Sequence, residues 1–492
     1  MGFKVDTSFL RYLTMGAMGV RVVKDQLVSL GFRPIELERY CDSNKIWTQK
    51  VKRLRLPDLV CIKTGLRVEV RTKTNLSISM SDTPNNPDRA WDAGLRGEDV
   101  IAFIKCFDRD TVFTPADSAV YFQVEDLKNS EGSSNLGQAK SASEGAERTR
   151  TWPSIVSSRD GTVRDIIDDK LKVSWDADSN RPEKNYTYTL KGKNVYVSVS
   201  GKFKAESSII AGAPTSLTNL SSHLTRNYSP INDLESIDTI DRYTAIKSIP
   251  HLDNIPNNAI RLLEHLLENE KDDRVALEAA GSATFLGSQS GQDLLSKFIW
   301  CNDERPDLRM EAVFILSELK NLFSRQQLLQ IASSDKFQSD ELRQAAVWGL
   351  GKSGLKAYKD LIPFIDDDDG DVALHAISAF GSDTPETVIK DLTQKLAIGN
   401  PRQAAASSKA LTIISGHTVI DTLVRAYNNK PEQPEWIIAT LGQINIELLN
   451  KRIGDAELMQ KLTPIILANN TNNWLVDENI SDDMRFLLKQ NL

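Results

Sequence analysis

The stretch DELRQAAVWGLGKSGLKAYKDLIPFID, residues 340–366, contains two amphipathic segments with apolar residues at helical spacing. A short connection containing Gly and Ser separates the two segments. Ala346 lies in the first segment, at a place where a small side chain lets two helices approach closely. The stretch therefore predicts a pair of packed α-helices.

The same pattern recurs through the second half of the chain. An alanine stands at the equivalent position of seven segments, at intervals of 30 to 34 residues: Ala245, Ala279, Ala312, Ala346, Ala376, Ala406 and Ala439. Helix pairs that repeat at this period stack into an α-solenoid. In this respect residues 240–465 resemble HEAT-like repeats. The resemblance implies an extended surface for a protein partner and does not identify that partner.

Composition places the chain among soluble globular proteins of about three domains. No apolar run approaches the roughly 20 residues of a bilayer span, and the four scattered cysteines fit a reducing compartment. We therefore expect a cytoplasmic protein without membrane contact. Residues 1–230 carry 34 Lys/Arg and 28 Asp/Glu, whereas residues 231–492 carry 26 and 39. The front part is thus the one suited to approach a polyanion.

Two breaks in composition divide the front part. Residues 129–150 are rich in Ser, Gly, Glu and Ala, which predicts a flexible linker, and residues 205–235 look like a looser connector. Between them, residues 151–204 contain short β-type runs separated by Asp-Gly and Gly-Lys turns, which predicts a small β-barrel. A Gly-Thr-Val strand followed by a strand that ends in Trp-Asp resembles SH3-like modules. Such modules bind peptides or nucleic acid, or serve as structural spacers.

Residues 1–128 predict a compact α/β domain with the order α-β-β-β-α-β. The predicted elements are a helix over 8–30, strands over 33–40, 45–62 and 66–74, a helix within 89–107 and a strand over 118–124. The second and third strands form a hairpin, RLPDLVCIKTGLRVEVRTK, with Thr64-Gly65 at its tip. This tip predicts that Asp58 pairs with Arg71 and Val60 with Glu69.

Four charged side chains of this hairpin are expected on one face of the sheet, because side chains alternate along a strand. They are Asp58, Glu69, Arg71 and Lys73. Two carboxylates can hold Mg²⁺ or Mn²⁺, which activates a water for attack on a phosphodiester, and the cations can contact the phosphate. An ordinary hairpin with solvated charges is the alternative.

Here the sequence resembles the PD-(D/E)xK phosphodiesterase superfamily, whose domain has a restriction-endonuclease-like fold. Pro57-Asp58 matches the first motif and Glu69-x-Arg71 the second. The resemblance implies that Asp58 and Glu69 are metal ligands, with Glu38 on the first strand as a candidate third ligand. The superfamily's Lys falls on Arg71, which stays protonated and can stabilise charge but cannot act as a base. Lys73, two residues further along, is the candidate for that role.

A basic stretch precedes the hairpin and suggests nucleic-acid binding. Residues 45–55 contain an aromatic, Trp47, no acidic residue and five basic residues: Lys45, Lys50, Lys52, Arg53 and Arg55. Such a strand can track a phosphate backbone, or it can be a solvated face. Arg89, Trp91 and Arg96 are further candidates to line the cleft, although Trp91 also suits a core position.

The sequence therefore predicts a multidomain α and β protein. Its parts are a nuclease-like domain (1–128), a linker (129–150), an SH3-like barrel (151–204), a connector (205–235) and a HEAT-like solenoid (236–492). The predicted activity is Mg²⁺-dependent cleavage of DNA, for instance in antiviral defence, with the solenoid recruiting or sensing a protein partner. One alternative is a catalytically inactive, nucleic-acid-binding adaptor in a larger complex, and another is a purely structural scaffold.

Overall fold

The structure is a computed structural model. It describes residues 7–37, 47, 54–84, 86–109, 112–139, 146–301, 305–337, 341–352, 357–453 and 457–462. The described residues form two compact units. One contains residues 11–37 and 54–262, and the other contains residues 7–10, Trp47 and the residues from Leu263 onward. The fold is mixed α and β, with a C-terminal stack of helices.

The first unit is built on a six-stranded mixed sheet with the order β1-β2-β3-β5-β6, in which β7 also pairs with β5. Its elements are α1 (Thr7–Ser29), β1 (Pro34–Glu36), β2 (Leu59–Cys61), β3 (Arg67–Lys73), β4 (Ile78–Asp82), β5 (Val100–Arg109), β6 (Val112–Pro115), β7 (Val120–Gln123) and α2 (Val124–Asn129). The strands β3 and β5 are parallel, and the other pairs of this sheet are antiparallel. The strand β4 belongs to a separate sheet.

The prediction of a helix within residues 89–107 is wrong. The segment Val100–Arg109 is the strand β5, and its first seven residues are buried. A strand that lies between neighbours and is covered on both faces is apolar throughout, so its sequence lacks the alternation that marks a half-exposed strand. The observed order of elements therefore departs from α-β-β-β-α-β.

The six-stranded sheet carries a different apolar cluster on each face. On one face, Val68 and Ala102 pack with Val23 and Leu27 of α1. On the other, Phe103 belongs to a cluster with Trp91 and Trp152. Alternate residues of β3 belong to the first face, so Glu69 and Arg71 lie on the second.

The predicted flexible linker over 129–150 is wrong for most of its length. The strands β8 (Ser133–Ala139) and β9 (Ala146–Trp152) pair with each other, and β9 also pairs with β4. The Arg148 guanidinium donates to both oxygens of the buried Asp82 carboxylate at 2.7 Å. This ion pair holds β9 against β4. Because β9 has few apolar residues, its sequence lacks the hydrophobic pattern by which a strand is predicted.

A small β module follows, with its own apolar core. The remaining strands are β10 (Ser154–Val156), β11 (Gly161–Ile167), β12 (Lys170–Trp175), β13 (Lys184–Thr189), β14 (Asn194–Val195), β15 (Lys202–Phe203) and β16 (Ile209–Gly212). They form a four-stranded sheet, β13-β12-β11-β15, and a three-stranded one, β10-β16-β14. Val163, Leu171 and Ile210 share one cluster. The last strand lies beyond the predicted barrel, inside the predicted connector.

The rest of the described chain is helical. The helices are α3 (Thr239–Ser248), α4 (Ala259–Asn269), α5 (Asp273–Phe285), α6 (Gln289–Trp300), α7 (Pro306–Leu319), α8 (Leu322–Ala332), α9 (Glu341–Gly351), α10 (Tyr358–Leu361), α11 (Gly370–Ser378), α12 (Glu386–Ile398), α13 (Pro401–Ile414), α14 (His417–Asn428), α15 (Pro434–Leu441) and α16 (Ile446–Arg452). No helix of the described residues combines the length and the apolar character needed to cross a bilayer.

The odd-numbered helices α5 to α15 are the first helices of successive repeats, and each packs against the next. Six of the seven repeat alanines lie on them, and Ala245 lies on α3. Ala279, Ala312, Ala346 and Ala376 have no exposed surface. Gly281 shows how close this packing is, because a Cβ there would lie 2.6 Å from the Ile315 side chain. The expected helical stack is thus confirmed in its coarse form.

Candidate functional site

The predicted hairpin of β2 and β3 exists, but its register differs by two residues from the expected one. Leu59 pairs with Val68 and Val60 with Arg67, so the predicted pairing of Val60 with Glu69 is wrong. The turn closes where Gly65, with φ of +68°, donates its backbone N–H to the Cys61 carbonyl at 2.8 Å. A shift by an even number preserves the face of each side chain.

Asp58 stands opposite Glu69 in this register, and not opposite Arg71 as predicted. Its side chain nevertheless acts within the sheet, because Asp58 Oδ2 accepts the Val70 backbone N–H at 2.7 Å. Its backbone carbonyl accepts the Leu37 N–H at 2.9 Å. Asp58 is 5% exposed. Asp58 therefore links β3, through Val70, with Leu37, the residue after β1. It does so at the point where the β2–β3 ladder ends.

Glu69 forms an ion pair with Arg71, two residues along the same strand. The distance between Arg71 Nη2 and Glu69 Oε1 is 2.8 Å. The Glu69 side chain is 11% exposed and that of Arg71 is 40% exposed. The cation expected to contact a phosphate therefore binds the carboxylate expected to hold a metal.

The ammonium group of Lys73 has a hydroxyl as its hydrogen-bond partner. Its Nζ donates to Ser79 Oγ at 3.2 Å. Burial, and secondarily the nearby Arg71 charge, lower the pKa of Lys73 to about 8. Among the candidate residues of the described hairpin, Lys73 is thus suited to exchange a proton near neutral pH, but its hydrogen-bond partner is a hydroxyl and not a carboxylate.

The described residues do not assemble the metal site that the resemblance implied. Asp58 and Glu69 are brought together, whereas Glu38, the third candidate ligand, lies outside the described residues. The described part of the chain contains no group of three or more His, Cys, Asp or Glu arranged to hold a metal ion. The two carboxylates already bind a backbone N–H and a guanidinium. Binding of Mg²⁺ or Mn²⁺ stays a prediction.

Most of the predicted nucleic-acid contacts cannot be placed. Lys45, Lys50, Lys52 and Arg53 lie outside the described residues, and Arg55 is exposed. Among the other candidates for the cleft, Trp91 is 6% exposed and its ring centroid lies 5.4 Å from that of Trp152. Trp91 is therefore a core residue. The Arg96 guanidinium forms an ion pair with Asp241.

A buried ion-pair network lies beside the hairpin and was not foreseen. Arg67 donates from Nε to Asp99 Oδ1 at 2.9 Å and from Nη2 to Asp99 Oδ2 at 2.7 Å. Its Nη1 donates to Asp241 Oδ1 at 3.3 Å. Arg67 and Asp99 are 4% and 3% exposed. They line a cavity of about 150 Å³ that Tyr228 and Asp233 also line.

The second unforeseen feature is an aromatic pocket in the helical unit, formed by Phe314, Trp348 and His375. Trp47 lies in this pocket and has no exposed surface. Its ring centroid lies 6.3 Å from that of Phe314, 6.2 Å from that of Trp348 and 5.4 Å from that of His375. The three lining residues belong to successive first helices, α7, α9 and α11.

The repeat alignment contained a signal for this pocket. Phe314 and Trp348 each stand two residues after a repeat alanine, and His375 stands one residue before one. Positions three apart share a face of a helix. Large rings at these positions therefore mark one face of the first helices. No pattern in the sequence indicated that Trp47 would fill this pocket.

Comparisons with known proteins find a likeness to solved structures. No family model matches the chain, and no curated protein matches it. The chain is similar to the solved structure of the complex of CpcE and CpcF of phycocyanin lyase from Nostoc sp. PCC7120, with 18% sequence identity and a TM-score of 0.25. The similarity covers 49% of this chain and 92% of that one.

The prediction that the protein is a metal-dependent DNA nuclease is wrong. The geometry gives the physical reason, because Asp58 completes a strand ladder and Glu69 is paired with Arg71. The motif Pro57-Asp58 with Glu69-x-Arg71 is thus accounted for as hairpin structure. The resemblance to the PD-(D/E)xK superfamily stays a prediction.

Proposed function

We propose that the protein is a non-catalytic adaptor that binds a protein partner along its first-helix ridge. This ridge is defined as the residues one position before and two positions after each repeat alanine on α5, α7, α9 and α11. It comprises Glu278, Gly281, Glu311, Phe314, Ala345, Trp348, His375 and Ser378. Residues three apart on a helix face the same way, so the two positions of each helix lie on the same face of that helix.

The single observation that carries the proposal is the placement of Trp47. This residue precedes the ridge by more than two hundred positions in the chain and is fully buried against three of its helices. The ridge therefore accepts a side chain supplied from outside the helix repeats. A tryptophan buries about 150–250 Å², and tryptophan is enriched among the residues that contribute most to binding at protein interfaces.

The proposal is tested by selecting peptides on the full-length protein. Random 14-residue peptides displayed on phage are selected against Trp47→Ala, in which the pocket lacks its own tryptophan. The same library is selected against Trp47→Ala with Trp348→Ala. The control is Trp47→Ala with Leu322→Ala. Leu322 lies on α8, outside the first-helix ridge, and is 69% exposed.

We expect an aromatic residue to be enriched on Trp47→Ala and on the Leu322 control, and this enrichment to be lost when Trp348 is removed. Circular dichroism of each variant shows that the helices are retained. Equal enrichment on the variant without Trp348, or none on any variant, overturns the proposed adaptor surface.

A further inference from the structure

A cavity of about 390 Å³ opens beside β9, the second strand of the segment that was predicted to be a flexible linker. It is lined by residues of β4, α2, β8 and β9, by Ser130 and Gly132, and by the segment 90–92. All of these residues belong to the first compact unit. Pockets that bind small molecules have volumes of about 300–1,000 Å³. This cavity, which we call the β9 cavity, therefore has the size of a small-molecule site.

One face of β9 forms a wall of the β9 cavity. Arg148, Arg150 and Trp152 stand at alternate positions and so lie on the same face of the strand, with about 6.6 Å between successive positions. The Trp152 ring is fixed, because its Nε1 donates to the Leu127 carbonyl at 2.9 Å and its centroid lies 5.4 Å from that of Trp91. The wall therefore presents two guanidinium groups next to a rigid aromatic edge.

The two guanidinium groups share one carboxylate. Arg148 donates to both oxygens of Asp82 at 2.7 Å, whereas Arg150 donates to Asp82 only from Nε, at 3.3 Å. Among the residues that the structure describes, the two terminal amino groups of Arg150 have no hydrogen-bond partner. The Arg150 side chain is 40% exposed. Arg150 therefore has hydrogen-bond donors available for a ligand in the cavity.

The lining of the β9 cavity has an excess of positive charge. Lys128 belongs to it, with Nζ 2.8 Å from Asp92 Oδ2 and with 42% of its side chain exposed. An ammonium group has three donors, so this ion pair leaves Lys128 able to bind a second acceptor. The charged residues of the lining are three cations and two carboxylates, a net charge of +1: Arg148, Arg150, Lys128, Asp82 and Asp92. An anion would balance this charge.

The uncharged part of the lining is rich in hydroxyl groups. Ser130, Ser133 and Ser134 all line the β9 cavity. A serine hydroxyl both donates and accepts hydrogen bonds, as the hydroxyl groups of a sugar or another polyol do. The lining therefore suits a ligand that combines an anionic group with several hydroxyl groups.

A phosphorylated polyol has this combination. A phosphate monoester carries a charge of about −1.5 to −2 at pH 7 and three strong acceptor oxygens, and guanidinium groups bind such oxygens in pairs. We propose that the β9 cavity binds small sugar or polyol phosphates, with the phosphate on Arg150 and Lys128 and the polyol among the serines. This site shares no residue with the first-helix ridge, so the proposal is independent of the adaptor function.

The test is isothermal titration calorimetry on the full-length protein. The probes are glycerol 3-phosphate, ribose 5-phosphate and glucose 6-phosphate, each compared with the same polyol without its phosphate. We expect at least one of the three phosphates to bind with a dissociation constant below about 1 mM, and its neutral counterpart to bind at least about 10-fold more weakly. Binding should weaken as salt is raised.

Two further probes separate the parts of the ligand. Inorganic phosphate supplies the anion alone, and phenyl phosphate replaces the polyol with an apolar ring. We expect the best polyol phosphate to bind at least about 3-fold more tightly than either, because only its hydroxyl groups have partners among the serines. Inorganic phosphate that binds as tightly as all three polyol phosphates, or phenyl phosphate that binds more tightly than they do, overturns the proposal.

Variants locate the binding in the β9 cavity. Arg150→Gln should weaken the best polyol phosphate at least about 10-fold, since hydrogen bonds to charged groups are lost. Lys128→Gln should weaken it less, because Lys128 also binds Asp92. Arg164→Gln is the matched control, because Arg164 lies on β11, outside the lining, and its side chain is 59% exposed. Equal affinity of Arg150→Gln and Arg164→Gln, or no probe that binds below about 1 mM, overturns the proposal.

Discussion

The ring centroids of Trp47 and His375 lie 5.4 Å apart, with the two planes tilted by 39°. Burial lowers the pKa of His375 from its ordinary value to about 4, against a smaller opposing effect of the Asp369 carboxylate. The imidazole is therefore neutral in the folded protein at pH 7. The pocket that holds Trp47 is an uncharged aromatic cluster, and adding a proton to it is costly.

This relationship predicts that the helical unit loses stability in mild acid. In the unfolded chain His375 takes up a proton near pH 6.5, whereas in the folded chain it does so only near pH 4. The free energy of unfolding should therefore fall as the pH drops from 6.5 to 4, by at most about 3 kcal/mol, and then level off. Hydrogen-exchange protection of α9 and α11, measured at several pH values, checks this.

His375→Gln separates this effect from the titration of carboxylates. The variant should lose the part of the pH dependence between 6.5 and 4 that the unmodified protein shows. His265→Gln is the control, because His265 is exposed on α4. If His375→Gln and the unmodified protein lose protection in parallel, the histidine is not buried in its neutral form.

The second prediction separates a structural role of Asp58 from a metal-binding one. Asp58→Ala leaves the buried Val70 N–H without its acceptor and should cost about 2–3 kcal/mol of unfolding free energy. Asp58→Asn retains an acceptor oxygen and should cost about 1 kcal/mol or less. Urea denaturation followed by circular dichroism gives both values. A stabilising effect of Asp58→Ala would instead point to a carboxylate kept for function at the expense of the fold.

The helical stack was predictable because its signal is local and repeated. Ala279 and Ala346 recur at the repeat period, and both are completely buried between helices. The strand β5 was not predictable from the sequence. A run such as Val100-Ile-Ala-Phe-Ile104 is equally apolar whether it forms a buried helix or a central strand. Its type depends on the neighbours β3 and β7, which are distant in sequence.

For the candidate site, the sequence predicted the faces on which the side chains lie but not which residues pair across the strands. The faces of Asp58 and Glu69 follow from strand alternation, and they are as expected. Their register depends on which residue takes the left-handed conformation in the turn, and here Gly65 does. The pocket of Trp47 depends on contacts between residues in opposite halves of the chain, which no local pattern encodes.

The third prediction concerns the protonation of Lys73, whose pKa is about 8 because of burial and the Arg71 charge. An NMR titration of the lysine Cε resonances should show one side chain with a midpoint near pH 8. Arg71→Gln removes the charge that contributes to this shift and should move the midpoint upward. Lys63→Arg is the control, because Lys63 is exposed, and it should leave the midpoint near pH 8 unchanged. A Lys73 midpoint at the ordinary lysine value contradicts its burial.

The last prediction tests whether the buried ion pair of Arg67 and Asp99 anchors β3. Arg67→Met leaves the Asp99 carboxylate buried without its bidentate partner and should cost about 3–5 kcal/mol of unfolding free energy. Combining it with Asp99→Leu also removes the unpaired carboxylate and should recover much of the lost free energy of unfolding. Arg89→Met is the control, because Arg89 is exposed and its replacement should change stability by no more than about 0.5 kcal/mol. Urea denaturation of the four proteins gives the comparison. A double variant as unstable as Arg67→Met alone would show that the guanidinium stabilises the fold through Asp241 and not through Asp99.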